Sequence, residues 1–398
     1  MTTLKWIFWI SLFLLFYAYL GYGILLVIIV KIKEFFSKTQ SPELPTDEKL
    51  PSITLFITAF NEEKIVHSKM KNCQALDYPD DKFEIVWCTD GSNDHTVERL
   101  KDYPSVRVLH EDIRAGKTAA MNRGMRFVSS DIVVFTDANT MLNSQAIKEM
   151  VRRFEDPKVG CVAGEKRIVE KEKDSAASGG EGIYWRYESK LKELDDRLYS
   201  AIGAAGELFS VRRKLFFEMP KDTLLDDFIL SMRIAMKGYT IAYTPTAFAE
   251  ESGSLNMIEE EKRKVRIAAG GLQSIWRLRP LLNIFKYRTL SFQYISHRVL
   301  RWSVCPILLF LMIPINCYLA FYPQLNLFYA ILLFLQFLFY IMGLSGYLLE
   351  KRHLKNKLFF VPYYFLFMNW NCIKGINYLI KQKKQKTGAW EKSLRSES

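Results

Sequence analysis

A chain of 398 residues, 49% hydrophobic and 25% charged, is too apolar for a disordered protein and long enough for one large folded domain plus a more apolar part. Its net charge of +12, from 55 Lys and Arg against 43 Asp and Glu, admits nucleic acid, anionic lipid or acidic substrates as partners until the charges are located. Six cysteines without a CxxC pair argue against structural zinc and a disulfide framework, and fit a reducing compartment.

The first feature in chain order is the uncharged run between Lys5 and Lys31. About 20 apolar residues suffice to span a bilayer. A signal peptide would have a shorter apolar core and a small-residue cleavage site; Lys31, Lys33 and Lys38 follow instead, which predicts a cytoplasmic flank. The Pro-punctuated linker SPELPTDEKLP then leads into residues 51–280. Here short apolar strands alternate with helical patterns: SITLFIT before NEEKIVHSKMKNCQAL, FEIVWCT before DHTVERLKDY, VRVLHE before KTAAMNRGMRFV, then DIVVFT. A β-α-β-α run predicts an α/β domain whose parallel sheet binds ligands at the carboxyl ends of its strands.

Ser303 to Leu349 carries no charge and is broken near YPQLN, which predicts two membrane helices joined by a short outer turn. The later stretch LFFVPYYFLFMNWNCIKGINYLI is interrupted by Pro362, Asn369, Asn371 and Lys374 and flanked by basic clusters. It predicts an interfacial or re-entrant helix in preference to a full span. Juxtamembrane lysines facing anionic lipid account for the excess positive charge, so no nucleic-acid partner is expected. The organisation expected is a membrane helix and linker in 1–50, a cytoplasmic domain in 51–280, and interfacial helices, membrane helices and a basic tail in 281–398: a multi-pass cell-membrane protein.

Neither standard phosphate motif is present. There is no GxGxxG, and AGKT at Ala115 to Thr118 has Glu111 where a Walker loop needs glycine. Polar residues gather instead at successive strand ends: Thr58 and Asn61, then Asp90 in TDGSND, then Asp137 and Asn139 in TDANT. Taken singly, Asp90-Gly91 fits a turn and Asn61 a helix cap. Asp137 and Asn139, two oxygen donors one residue apart, suit Mg²⁺ or Mn²⁺ held against a phosphate. Asp226 and Asp227 in LLDDFIL fit either a helix cap or a proton-accepting carboxylate.

The ordered set TAFNEE, DGSND, GKTAAMNRG, TDANT, GAAGELFSVRR, LLDDFILS and RKVRIAAGG resembles the family 2 inverting glycosyltransferases, and within them the membrane-embedded poly-N-acetylglucosamine, hyaluronan and cellulose synthases. The resemblance covers residues 51 to about 280 and extends loosely to GAWEKSLR. It implies a Rossmann-like, nucleotide-sugar-binding domain of GT-A type, flanked by transmembrane helices. It also implies that Thr58, Phe60, Glu62, Asp90, Lys117 and Asp137 bind the nucleotide-sugar, with Phe60 stacked on the base, and that Asp137 and Asn139 place a divalent cation. By the same resemblance Asp227 is the catalytic base, while Glu207, Asp226, Arg263 and Arg266 serve the acceptor or diphosphate. The implied partners are a nucleotide-sugar donor such as a UDP-sugar, a glycan or lipid-linked acceptor, the bilayer, and polysaccharide-export proteins.

Two positions depart from the family pattern. Asn139 stands where a second aspartate is usual, which predicts weaker cation binding. The Gln-x-x-Arg-Trp motif aligns with Arg263, Arg266 and Ile267, so the aromatic platform for a sugar is missing and processive synthesis is in question. Three functions follow: sugar addition to a growing exopolysaccharide, single-sugar transfer to a lipid-linked or glycan acceptor, or a catalytically silent scaffold or export subunit. Retention of Asp90, Asp137 and Asp227 together argues against the last.

Overall fold

The structure is a computed structural model that describes residues 2–36, 49–169, 176–254, 256–352, 354 and 356–385. Residues 41–48 of the linker and the stretch GAWEKSLR lie outside the described residues.

Eight strands form one sheet: β1 Ile53–Ala59, β2 Phe83–Asp90, β3 Arg107–Glu111, β4 Ile132–Asp137, β5 Met141–Leu142, β6 Val159–Val169, β7 Leu208–Arg212 and β8 Thr240–Ser252. Their spatial order is β3-β2-β1-β4-β7-β6-β8-β5. The four strands read from the sequence are the parallel half. Beyond β4 the sheet is mixed, because β7 inserts antiparallel to both β4 and β6 while β6 and β8 pair in parallel.

All of β1 is buried, as expected of a central strand covered on both faces. Alternate residues feed two cores. Phe56, Val86, Val133 and Phe135 pack with Met121 and Phe228 on one face; Leu55, Ile57, Trp87 and Val134 pack with Met70, Ile147 and Met150 on the other. Each such side chain stabilises the fold by roughly 1.5–3 kcal/mol.

The helices, in chain order, are α1 Thr2–Phe16, α2 Tyr22–Phe36, α3 Val66–Gln74, α4 Thr96–Leu100, α5 Lys117–Gly124, α6 Ala146–Arg153, α7 Ala176–Leu198, α8 Asp226–Met236, α9 Met257–Arg277, α10 Ile284–Tyr287, α11 Thr289–Tyr294, α12 Cys305–Phe321, α13 Leu327–Lys351 and α14 Lys357–Gln385. A π-helical turn at Tyr17–Gly21 joins α1 to α2, and another at Ile295–Val304 joins α11 to α12. Among the described residues three helical stretches are long and apolar enough to cross a membrane: Thr2–Phe36, Thr289–Phe321 and Leu327–Lys351. Ile331, Phe334 and Leu335 on α13 are exposed, an outward apolar face that suits lipid.

The interrupted stretch forms α14, a single helix of 29 residues, so the re-entrant form is excluded. Its Pro362 is accommodated within the helix. Small residues let α14 approach its neighbours closely. A Cβ on Gly346 of α13 would lie 2.2 Å from the Phe359 carbonyl oxygen, and one on Gly375 would lie 2.9 Å from Ala268 of α9. Helix α14 therefore couples α13 to the helix that carries Arg263 and Arg266.

Candidate active site

The carboxyl ends of β1 and β4 lie side by side, with Thr58 in register with Asp137. The loops after β1 and β2 are tied together: the Asn61 amide donates to Asn93 Oδ1 (2.8 Å) and the Glu62 backbone N–H donates to Thr96 Oγ1 (2.8 Å). Asn61 is a left-handed turn residue with φ 53°. It does not cap α3, which begins after Ile65 without a side-chain cap. Asp90 accepts the backbone N–H groups of Ala115 (3.0 Å) and Gly116 (2.7 Å), which fixes the turn from which α5 starts and aims Lys117 inward.

A cavity of about 1190 Å³ opens at this edge. It gathers ten of the twelve residues expected at the site: Thr58, Glu62, Lys117, Asp137, Asn139, Glu207, Asp226, Asp227, Arg263 and Arg266. The other two, Phe60 and Asp90, are not in its lining. The Arg114 guanidinium lies 3.7 Å from the centre of the Phe60 ring, over one face of the ring that was expected to stack on the base. Asp90 acts from behind, through the loop it holds.

Lys117 Nζ donates to Asp137 Oδ1 at 2.6 Å. Burial opposes its charge, but the carboxylates of Asp137, Asp226 and Asp227 outweigh burial and raise its pKa above the usual lysine range. Asp226 and Asp227 form the first turn of α8, after Leu225, so neither is the cap residue; the helix N-terminus favours their negative charge. Asp227 Oδ1 accepts the Phe228 N–H at 2.7 Å. Burial first, and then the neighbouring Asp226, push the Asp227 carboxyl up to about 7, with Lys117 opposing. Gly206 keeps its backbone close to both groups, since a Cβ there would meet Lys117 Nζ at 3.3 Å and Asp227 Oδ2 at 3.4 Å.

A second layer holds this centre. Lys166, which is buried, binds Glu207 Oε1 (2.5 Å) and Glu251 Oε2 (2.6 Å), and Glu251 Oε1 accepts from the Asn139 amide (3.0 Å). Burial would raise the Glu207 pKa, yet Lys166 holds its carboxyl well below the usual range. Arg263 and Lys264 turn inward to the buried Glu260, at 3.2 and 3.3 Å, so a face of α9 resting on lipid head groups does not describe them. Arg266 lines the cavity, and among the described residues it forms no ion pair; Asp226 and Asp137 act on its charge.

Lys166, Glu251, Trp185 and Lys192 were not identified as site residues from the sequence. Their sequence signal is weak: a lysine in a strand and a charged helical face read as solvated surface.

The donor set fits a hard divalent cation. Asp226 Oδ2 is buried and has no hydrogen-bond partner in the structure, and Asp137 offers a carboxylate at the adjacent strand end. No group of three His, Cys, Asp or Glu residues that could hold a metal occurs among the described residues. That suits Mg²⁺ or Mn²⁺, which typically take one or two carboxylates and complete their shell with substrate phosphates and water.

Residues 54–218 match the family model "Glycosyl transferase family 2". The chain is 28% identical over 255 residues to poly-beta-1,6-N-acetyl-D-glucosamine synthase of Staphylococcus aureus strain COL, covering 61% of this chain and 60% of that one. It is 26% identical over 243 residues to the Staphylococcus epidermidis protein of the same name, covering 58% and 57%. The match thus spans about three fifths of these relatives' length. Mannosyltransferase PcManGT from Pyrobaculum calidifontis, solved in complex with GDP-Man and Mn2+, superposes with a TM-score of 0.67 at 22% identity, covering 95% of this chain and 99% of that one. The polar strand ends, the mixed sheet and these matches agree: the chain has the GT-A fold, and its residues 54–218 match the family 2 glycosyltransferase model.

Proposed function

We propose that the protein is a membrane glycosyltransferase that moves a sugar from a nucleotide-sugar, such as a UDP-sugar, to a growing polysaccharide with inversion at the anomeric carbon. The observation that carries this reading is the meeting of Lys117, Asp137, Asp226 and Asp227 in one cavity at the sheet's carboxyl edge. Lys117 and Arg266 hold the donor diphosphate, arginine offering paired donors to phosphate oxygens. Asp137, Asn139 and Asp226 hold the divalent cation, which when bound neutralises charge on the leaving diphosphate. Asp227 takes the proton of the acceptor hydroxyl as that oxygen attacks the anomeric carbon from the face opposite the leaving group. The solved neighbour's GDP-Man and Mn2+ support a donor and cation of this kind. On this reading the domain faces the cytoplasm, the three apolar stretches cross the cell membrane, and export proteins receive the product.

A second reading, transfer of one sugar to a lipid-linked acceptor, is favoured by the cavity's reach. Beyond the strand ends it continues to Phe360, Phe365 and Met368 of α14 and Tyr19 of the N-terminal stretch. Membranes carrying the protein, supplied with a panel of nucleotide-sugars and Mn²⁺ or Mg²⁺, should release nucleoside diphosphate, and mass analysis separates a polymer from a single addition. Failure to turn over any donor would overturn the enzyme reading. Activity that survives chelation would remove Asp137 and Asn139 from a metal role.

A further inference from the structure

The helix side of the cavity holds basic groups that sugar transfer, as described, leaves unused. Lys192 of α7 lines the cavity and is only 3% exposed. Among the described residues no hydrogen bond or ion pair reaches its ammonium, which sits 5.5 Å from the centre of the Trp185 ring. Arg298, from the π-helical turn, lines the same cavity; its Nη1 pairs with Glu188 at 2.8 Å, but its buried Nε has no acceptor. Glu188 also receives Arg301 at 2.6 Å and faces His297 Nε2 at 3.3 Å, so its one charge is already shared. Of the other carboxylates that act on Lys192, Glu207 is bound to Lys166, and Glu165 accepts from Ser189 at 2.6 Å through one oxygen while its buried Oε2 has no hydrogen-bond partner among the described residues; neither forms an ion pair with Lys192.

An ammonium in the cavity wall that has no acceptor from the protein and lies near a second cation favours a negative charge supplied from the cavity. Burial, and then the Arg298 charge, hold the Lys192 amine below the usual lysine range, with Glu188, Glu165 and Glu207 opposing in part. The missing partner is an anion. Phe360, Phe365 and Met368 make the adjoining wall apolar, and the helices that supply Arg298 and Tyr19 are long and apolar enough to cross a membrane.

We propose that Lys192 and Arg298 form an anion subsite for the phosphate of a membrane lipid that serves as sugar acceptor, with its hydrocarbon lying along α14. This rests on the lipid-linked reading above. It assigns the phosphate to α7 and the π-helical turn, and leaves the donor diphosphate to Lys117 and Arg266.

The test uses the full-length protein in nanodiscs, with a long-chain prenyl phosphate, the corresponding prenol and inorganic pyrophosphate as probes. The phosphate should bind at least about tenfold more tightly than the alcohol, and Lys192→Met should lose about tenfold or more of that affinity, the scale of a hydrogen bond to a charged group. Lys192→Arg should retain it. Because no hydrogen bond or ion pair holds the ammonium, the Tm of Lys192→Met without ligand should equal or exceed that of the wild type; a lower Tm would make Lys192 structural and overturn the proposal. Equal binding of prenol and prenyl phosphate, or unchanged affinity in Lys192→Met, would overturn it as well. Pyrophosphate binding as tightly as the prenyl phosphate would replace the lipid by a soluble anion. Wild-type binding of nucleotide-sugar with Mn²⁺, measured on the same samples, judges the enzyme reading separately.

Discussion

As the proposed base, Asp227 meets two demands that pull in opposite directions. A base must be ionised to accept a proton, whereas burial and Asp226 keep its carboxyl protonated up to about 7, against an ordinary value of 3.8. A base with a pKa near the working pH is an efficient proton acceptor. Asp227→Asn should therefore cut transfer by about a hundredfold or more while nucleotide-sugar binding persists; normal turnover in this variant would place the base elsewhere. The same shift has a stability consequence. The folded state holds this proton more tightly than the unfolded chain, so the contribution is fully present below about pH 4 and is lost as pH rises through about 7. Metal-free Asp227→Asn should accordingly melt higher than the wild type at pH 8. Arg266 is tested by shape: Arg266→Lys keeps the charge but loses the planar fork, so activity should fall strongly while membrane association stays unchanged. Full activity with lysine would reduce Arg266 to a point charge.

At the scale of elements, the parallel half of the sheet was legible because β1, β2 and β4 are short, mostly apolar runs with polar residues gathered at or just past their carboxyl ends. The antiparallel insertion of β7 was not. Its partners β4 and β6 are set by long-range packing, which no local pattern encodes. Helix α7 shows the same limit from the polar side. Glu188, Lys192 and Asp195 share one face, a spacing that reads as a solvated stripe, yet all three are buried: α2, α11 and the π-helical turn bring partners to the two carboxylates, and Lys192 faces the cavity. The loop between α7 and β7, which packs against Phe228 of α8, is set more locally, by Gly203. Its φ of +84° favours glycine, and a Cβ would lie 2.1 Å from the Phe228 ring. Gly203→Ala should destabilise the protein by roughly 1–3 kcal/mol. Because Phe228 follows Asp227, transfer should fall as well; a variant with wild-type Tm and activity would show that Phe228 moves aside freely.

The whole molecule joins an α/β domain of GT-A fold to helices suited to a bilayer. With three such stretches among the described residues, the protein should stay in the pellet after carbonate extraction and require detergent; release into the soluble fraction would refute the membrane architecture. The two parts are not independent. Asp195 of α7 accepts Tyr22 Oη at 2.5 Å and the Gln293 amide at 3.0 Å, and meets His297 Nδ1 at 2.6 Å, while Glu188 takes Arg298 and Arg301. A fragment cut after Arg277 would lose Gln293, His297, Arg298 and Arg301, leaving Asp195 with Tyr22 and Glu188 without its cations, a loss of about 3–5 kcal/mol for each broken buried pair. Modular exchange is restricted in the same way. An α/β domain grafted from a relative onto these helices would have to bring a matching α7 with it, so this domain and its apolar helices must change together or lose their shared charges.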